Sequence, residues 1–292
     1  MRKLYLFVSF VALCTLPSPA WATTGTLTIT TNTTLTEDHI GGTIIIAADN
    51  VTLNCAGHFV LGPPERNVDG IRLDGRTGVT VENCRVAFFQ RGISLTASHR
   101  NVFRRNQIYN NTAPHGVLET GGGEGFDLNG SSGNTFINNS VTNNRDGFDL
   151  IDSDGNVFTR NEVTHNARNG FELDRSDNNV FVRNTANDNG LPIDEPNPTP
   201  PPPFIATPRG RNGFSLDFSG GNTFIGNTAN RNGRNGFRIQ HSNDNTFLTN
   251  EACFNNAHRF PGEADAFQER SFRNVFFNNT FCTGDLQYIP SP

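Results

Sequence analysis

The sequence predicts an all-β chain, a single-stranded right-handed parallel β-helix of about nine coils. Three observations predict it: a repeat of 22 or 23 residues wherever it runs uninterrupted, short apolar–polar alternation within each repeat, and an asparagine that returns at a fixed place. Alternation over so few residues is strand periodicity. Strands this short bury a core only by stacking coil on coil at the sheet spacing of roughly 4.8 Å.

The chain begins with Arg2 and Lys3, an apolar run from Leu4 to Leu16, and Ala20-Trp21-Ala22. This is the pattern of a secretory signal cleaved after Ala22. Cys14 does not make a lipoprotein signal, because bulky Leu13 precedes it where a small residue is wanted. Residues 1–22 are therefore expected to be removed, leaving 23–292 as one domain that is secreted or periplasmic and monomeric. No later stretch is long and apolar enough to span a bilayer. The net charge of −5 is mild and offers no basic stripe for nucleic acid.

A cap is expected over about 23–49, with strand-like sequence from Leu27 to Ile46. The coils follow. Gly-Phe-x-Leu or its Ile variants begin at Gly70, Gly92, Gly125, Gly147, Gly170, Gly213 and Gly236. An Asn-Val/Thr-Phe segment comes next, headed by Asn101, Asn134, Asn156, Asn179, Asn222, Asn245 or Asn274. Five residues on stands a second asparagine, in the series Asn106, Asn139, Asn161, Asn184, Asn227, Asn250 and Asn279, which Asn54 and Asn83 extend to nine. Asparagine tolerates left-handed turns and bonds neighbouring backbone, so one per coil predicts a hydrogen-bonded ladder. The phenylalanines are expected to stack inside as core.

From each repeat glycine to its ladder asparagine the distance is 13 or 14 residues. From ladder asparagine to the next glycine it varies, being 8 from Asn139 to Gly147 but 19 from Asn106 to Gly125 and 29 from Asn184 to Gly213. Insertions at about 112–123, 191–211 and 257–264 thus leave at one turn, and loops gathered on one edge commonly mark a binding face. The proline-rich 191–211 is a loop, not a linker, because the repeat resumes in phase. Cys55 and Cys84 are 29 residues apart, as are Cys253 and Cys282, and each pair holds equivalent places on adjacent coils. Two disulfides or two pairs of stacked thiols satisfy that register, and an exported protein favours the bridges.

These residues, with Leu35-Thr36-Glu37-Asp38 and the segment from Asp49 to His58, resemble the right-handed parallel β-helix repeat proteins of the pectin-lyase-like superfamily. That group holds pectate lyases, polygalacturonases, mannuronan epimerases and the periplasmic NosD-like proteins; the NosD-like and uncharacterised secreted members are the most similar. The resemblance covers nearly all of 23–292. It implies the architecture and leaves the chemistry to the site.

In Gly-Phe-x-Leu the third residue should project outward. Along the axis that column reads Arg72, Ser94, Asp127, Asp149, Glu172, Ser215, Arg238 and Gln268. Asp127, Asp149 and Glu172 stand on consecutive coils, about 5 Å apart, close enough to raise a pKa or to share Ca2+ at Asp127 and Asp149. They are the candidate catalytic residues of a polysaccharide lyase, glycoside hydrolase or epimerase, with Glu124, Asp146 and Arg238 as substrate-binding neighbours. Arg72 and Arg238 are out of reach of the carboxylates in this column, so the basic residue of a lyase is missing. Ala113-Pro114-His115-Gly116 only faintly echoes the Asp-Pro-His-Asp motif of mannuronan epimerases. A non-catalytic glycan-binding or structural envelope protein is the alternative, since surface Asp and Glu also keep an exposed sheet soluble. The NosD-like resemblance implies metal delivery, but the histidines form no column and the only methionine is Met1, a poor set for copper.

Overall fold

The computed structural model describes residues 22–111, 122–190, 211–256, 264–282 and 287–289. All but the last residue of the segment expected to be a signal sequence, and nearly all of the three insertions, lie outside these. Among the described residues every strand pairing is parallel, and the strands stack into three long sheets. One coil shows the plan. Phe148–Ile151 lies in sheet I, Val157–Thr159 in sheet II and Glu162–Thr164 in sheet III. Among the described residues no helix is long and apolar enough to cross a membrane.

Among the described residues sheet I has eleven strands. Leu27–Ile29 and Ile44–Ile46, in the segment expected to cap the solenoid, pair in register with each other and with Ile71–Leu73, so they add coils at that end. Their alternating inward isoleucines are buried like those of any later coil.

Two columns of phenylalanine run through the core, beside buried leucine and valine. Phe126, Phe148, Phe171, Phe214 and Phe237 stack beneath sheet I, and Phe103, Phe136, Phe158, Phe181, Phe224 and Phe247 beneath sheet II, with centroids 4.6–5.0 Å apart inside a column. Across columns the rings meet edge to face. Both geometries suit the aromatic quadrupole. The repeat glycines admit this packing because a Cβ there would lie 2.5–2.7 Å from a carbonyl oxygen of the next coil.

The asparagine ladders are real, and among the described residues every rung but one is bonded through its amide nitrogen, the exception being the buried Asn179 Nδ2. Asn139 N–H donates to Asn161 Oδ1 (3.0 Å), while Asn139 Nδ2 donates to the same oxygen and to Phe103 O. Such satisfied buried networks fix one register. Two places in the predicted series differ. Cys84, not Asn83, precedes Asn106, donating its N–H to Asn106 Oδ1, and Cys55 is bonded to Cys84. This accounts for the 13-residue spacing from Gly70 to Asn83: counted to Cys84 it is 14, like the rest. Asn83 takes a left-handed turn position instead. A third asparagine ladder (Asn111, Asn144, Asn166, Asn189, Asn232, Asn255) and a serine ladder (Ser98, Ser131, Ser153, Ser176, Ser219, Ser242, Ser271) complete the turns.

Cys55–Cys84 and Cys253–Cys282 are both disulfides, with Cα atoms 4.7 and 4.8 Å apart, bridging adjacent coils near either end. Closing a loop of 29 residues is worth about 2–4 kcal/mol through the unfolded chain. Replacing Cys253 and Cys282 together by Ser is therefore expected to lower the unfolding midpoint measurably. A thermal melt unchanged from wild type would contradict that role.

Candidate active site

The described flanks of the three insertions all lie at one turn, between sheet III and sheet I. The chain leaves after Asn111, after Gly190 and after Asn256 and returns at Gly122, Arg211 and Ala264, beside the strands that carry the carboxylates. Asp127 pairs with Ser94 and Asp149, and Asp149 pairs with Glu172, so the expected outward column exists. It continues through Ser215 and Arg238, but its next member is Phe267. Gln268 is displaced inward and bonds Ser271 O, because Ala266 takes the place that phenylalanine fills in earlier coils.

Not all the carboxylates are equivalent. Arg91 reaches across its coil to bond Asp69 Oδ1 (2.7 Å) and Asp127 Oδ2 (2.9 Å), and Ser94 Oγ donates to Asp69. Arg145 bonds Glu124 and Asp146. A basic group is thus in contact with the carboxylates after all; it comes from columns one and two residues ahead of each glycine, not from the column of Arg72 and Arg238. Glu124 and Asp146 are buried, 2% and 0% exposed, in the border of the sheet and not on its outer surface. Asp146 Oδ1 accepts from Asn169 N–H, as an amide would in the same ladder. Asn169, Asn212 and Asn235 occupy that ladder on later coils.

Asp149 and Glu172 remain without a salt bridge among the described residues. Burial pushes the Asp149 carboxyl well above the usual range, and the charges of Glu172 and Asp146 push it further. Burial and the Asp146 charge raise Glu172 to about 7, against an opposing hydrogen bond from Asn169 Nδ2 (3.0 Å) and the nearby Arg168 and Arg145. Asp127 is raised by burial too, with Arg91 opposing. The pair on adjacent strands is therefore proton-bearing near neutrality, which is the condition for moving a proton.

The arginines two residues before the repeat glycines form a column of their own: Arg145, Arg168, Arg211 and Arg234. Its backbone runs in register, Arg168 N–H donating to Arg145 O and Arg234 N–H to Arg211 O. Arg168 and Arg211 are half-buried and make no salt bridge among the described residues. Burial and the neighbouring Arg234 charge lower the Arg211 pKa. Arg238, also half-buried, bonds Ser215 Oγ and Gln240 Oε1. The four-fold recurrence of Arg-Asp/Asn-Gly-Phe is visible in the sequence, and this column is the functional signal that the outward-residue reading passes over.

Among the described residues no group of three or more His, Cys, Asp or Glu is placed to hold a metal ion. Of the two carboxylates suggested for Ca2+, Asp127 is already paired with Arg91.

Comparison of the sequence with curated proteins gives no match. Solved structures do share the fold. Pectate lyase Pel9A is 18% identical over 90% of this chain and 68% of that one, with a TM-score of 0.57. An alginate lyase from Paenibacillus sp. str. FPU-7 is 12% identical over 90% and 99% of the two chains (TM-score 0.61), and the A-module of the Azotobacter vinelandii mannuronan C-5 epimerase AlgE4 is 13% identical over 91% and 81% (TM-score 0.54). At these identities the likeness is one of architecture. The family model described as a right handed beta helix region matches residues 67–252, the stretch that holds the glycine, phenylalanine and asparagine columns, and the chain belongs to that family.

Proposed function

We propose that the protein binds an extended anionic polysaccharide along sheet I, outside the cytoplasm, and that Asp149 and Glu172 transfer a proton at the bound sugar. The observation that carries this reading is the pair itself: two unbridged carboxyls on adjacent strands, both raised by burial. One protonated and one ionised carboxyl at this spacing suit glycosidic-bond cleavage, where the first gives a proton to the leaving oxygen and the second faces the sugar carbon. They equally suit removal and return of a proton on the sugar ring. Arg168, Arg211 and Arg238 supply the anion preference, since a half-buried guanidinium binds carboxylate or sulfate strongly. Pectate lyase and alginate-acting proteins with this fold are consistent with such a ligand.

The test is incubation of the folded protein with neutral and uronic polysaccharides, with and without Ca2+, following new reducing ends, unsaturated products and epimer composition. Turnover of an acidic glycan is the expected result, and silence across the panel would defeat the enzymatic reading. A second reading, glycan retention without turnover, is favoured by the salt bridges that engage Asp127, Glu124 and Asp146. The Arg168→Gln, Arg211→Gln double variant is expected to raise KM or Kd for the acidic glycan about tenfold at low salt. It should leave kcat nearly unchanged, and an equal loss in kcat would place these arginines in the reaction instead.

A further inference from the structure

A second feature lies on the opposite edge of sheet I, at the turn leading to sheet II. One position of that turn is left-handed on seven successive coils: Ala97, Gly130, Asp152, Arg175, Phe218, His241 and Arg270 have φ between 46° and 57°. A bulky ring is a costly occupant there, because its Cβ crowds the backbone. Phe218 nonetheless holds the place and is 57% exposed. Its ring stacks on His241 of the next coil, centroids 4.6 Å apart and planes within 4°. His241 is oriented by its Nδ1, 3.3 Å from Asp217 Oδ1.

Beside this pair the turn is cut away. Gly220 and Gly221 stand where neighbouring coils carry Asp177-Asn178 and Asn243-Asp244, so a notch of about 480 Å³ opens with glycine backbone as floor. Its polar walls are only partly engaged. Asp177 Oδ1 accepts from Gly220 N–H (2.6 Å) and Asn243 Oδ1 from Phe272 N–H (2.7 Å), while Asp244 is held by Arg273. The second Asp177 oxygen, the Asn243 amide nitrogen and the outer nitrogen of His241 make no hydrogen bond among the described residues.

We propose that the Phe218–His241 pair and the Gly220-Gly221 notch form a second, non-catalytic sugar-binding site, selective for neutral pyranose units. The apolar C–H face of a pyranose complements the negative face of an aromatic ring, and its hydroxyls pair with carboxylate and amide groups placed around the ring. The notch carries Asp177 and Asp244 and has no unpaired arginine, so an acidic sugar is repelled where a neutral one is accepted. The site is separate from the Asp149–Glu172 pair and stands or falls without it.

Affinity electrophoresis through gels holding soluble β-glucan, xylan, galactomannan or polygalacturonate tests it. Retardation by at least one neutral glycan is expected, at least tenfold weaker in Phe218→Ala, retained in Phe218→Trp and unchanged in Asp149→Asn. Absence of retardation by all three neutral glycans overturns the proposal. So does retardation that Phe218→Ala leaves intact. Because Phe218 is exposed and its ring lies outside the core, the alanine variant is expected to fold, which a thermal melt confirms alongside.

Discussion

Asp149→Asn is expected to lower kcat by about 10²–10⁴-fold on whatever acidic glycan the wild type turns over, with the fold intact. Glu172→Gln should do the same. Either change leaves the site with a single ionisable group where the reaction needs a donor and an acceptor. The pH profile follows from the direction of the shifts. Both carboxyls hold protons to higher pH than usual, so turnover should fall as pH rises past about 7 and the pair loses its proton.

The same shifts govern stability, with the opposite consequence for the variants. An ordinary glutamic acid ionises near 4.5, whereas burial pushes folded Glu172 up to about 7. Its contribution is therefore full below 4.5 and is lost as pH rises to about 7, where a charge must be held in a poorly solvated place. Wild type should be less stable at pH 8 than at pH 5, by on the order of 2 kcal/mol from this group. Glu172→Gln should flatten that decline while abolishing turnover. Denaturant melts at the two pH values decide it: a variant that keeps the wild-type pH slope would show that Glu172 is not a group whose pKa is raised on folding.

Phe158→Ala is expected to cost about 3–5 kcal/mol and to lower the melting midpoint by about 10 °C. Phe158 is fully buried and lies mid-column. Its ring stacks on Phe136 at 4.8 Å and Phe181 at 4.6 Å and meets the edges of Phe148 and Phe171. Coils above and below are pinned by their ladders, so the cavity cannot collapse without breaking hydrogen bonds of Asn156 or Asn161. Phe158→Leu should cost less than half as much. A loss under 1 kcal/mol for the alanine variant would mean that the columns are looser than their geometry.

Where the sequence reading slipped, it did so by one residue or one column. Asn83 was a plausible ladder member, but a turn position of the same residue type adjoins the ladder, and only the pairing with Asn106 identifies Cys84 as the true one. Gln268 was placed by reading Ala266-Phe267 as Gly-Phe, but Ala266 stands at the phenylalanine place and Asp265 at the glycine's. The third asparagine ladder and the serines six residues after each glycine from Gly92 to Gly236 are as periodic as the others and were legible. So was the arginine column; attention to the outward strand residue alone passes over it, because those arginines sit in the turn.

The sequence by itself determined the solenoid, the phenylalanine core, the asparagine ladder, the pairing of four cysteines and the row Asp127, Asp149, Glu172. A solenoid makes this possible because stacking is one-dimensional: residues one repeat apart are neighbours, so spacing along the chain is distance in space. Which carboxyls are usable was decided by the tertiary structure. Arg91 and Arg145 come from turn and border columns whose side-chain directions no repeat spacing gives, and they engage Asp127, Glu124 and Asp146. Asp149 and Glu172 are left to carry raised pKa values, because desolvation and charge depend on the few ångströms between side chains and not on residue order.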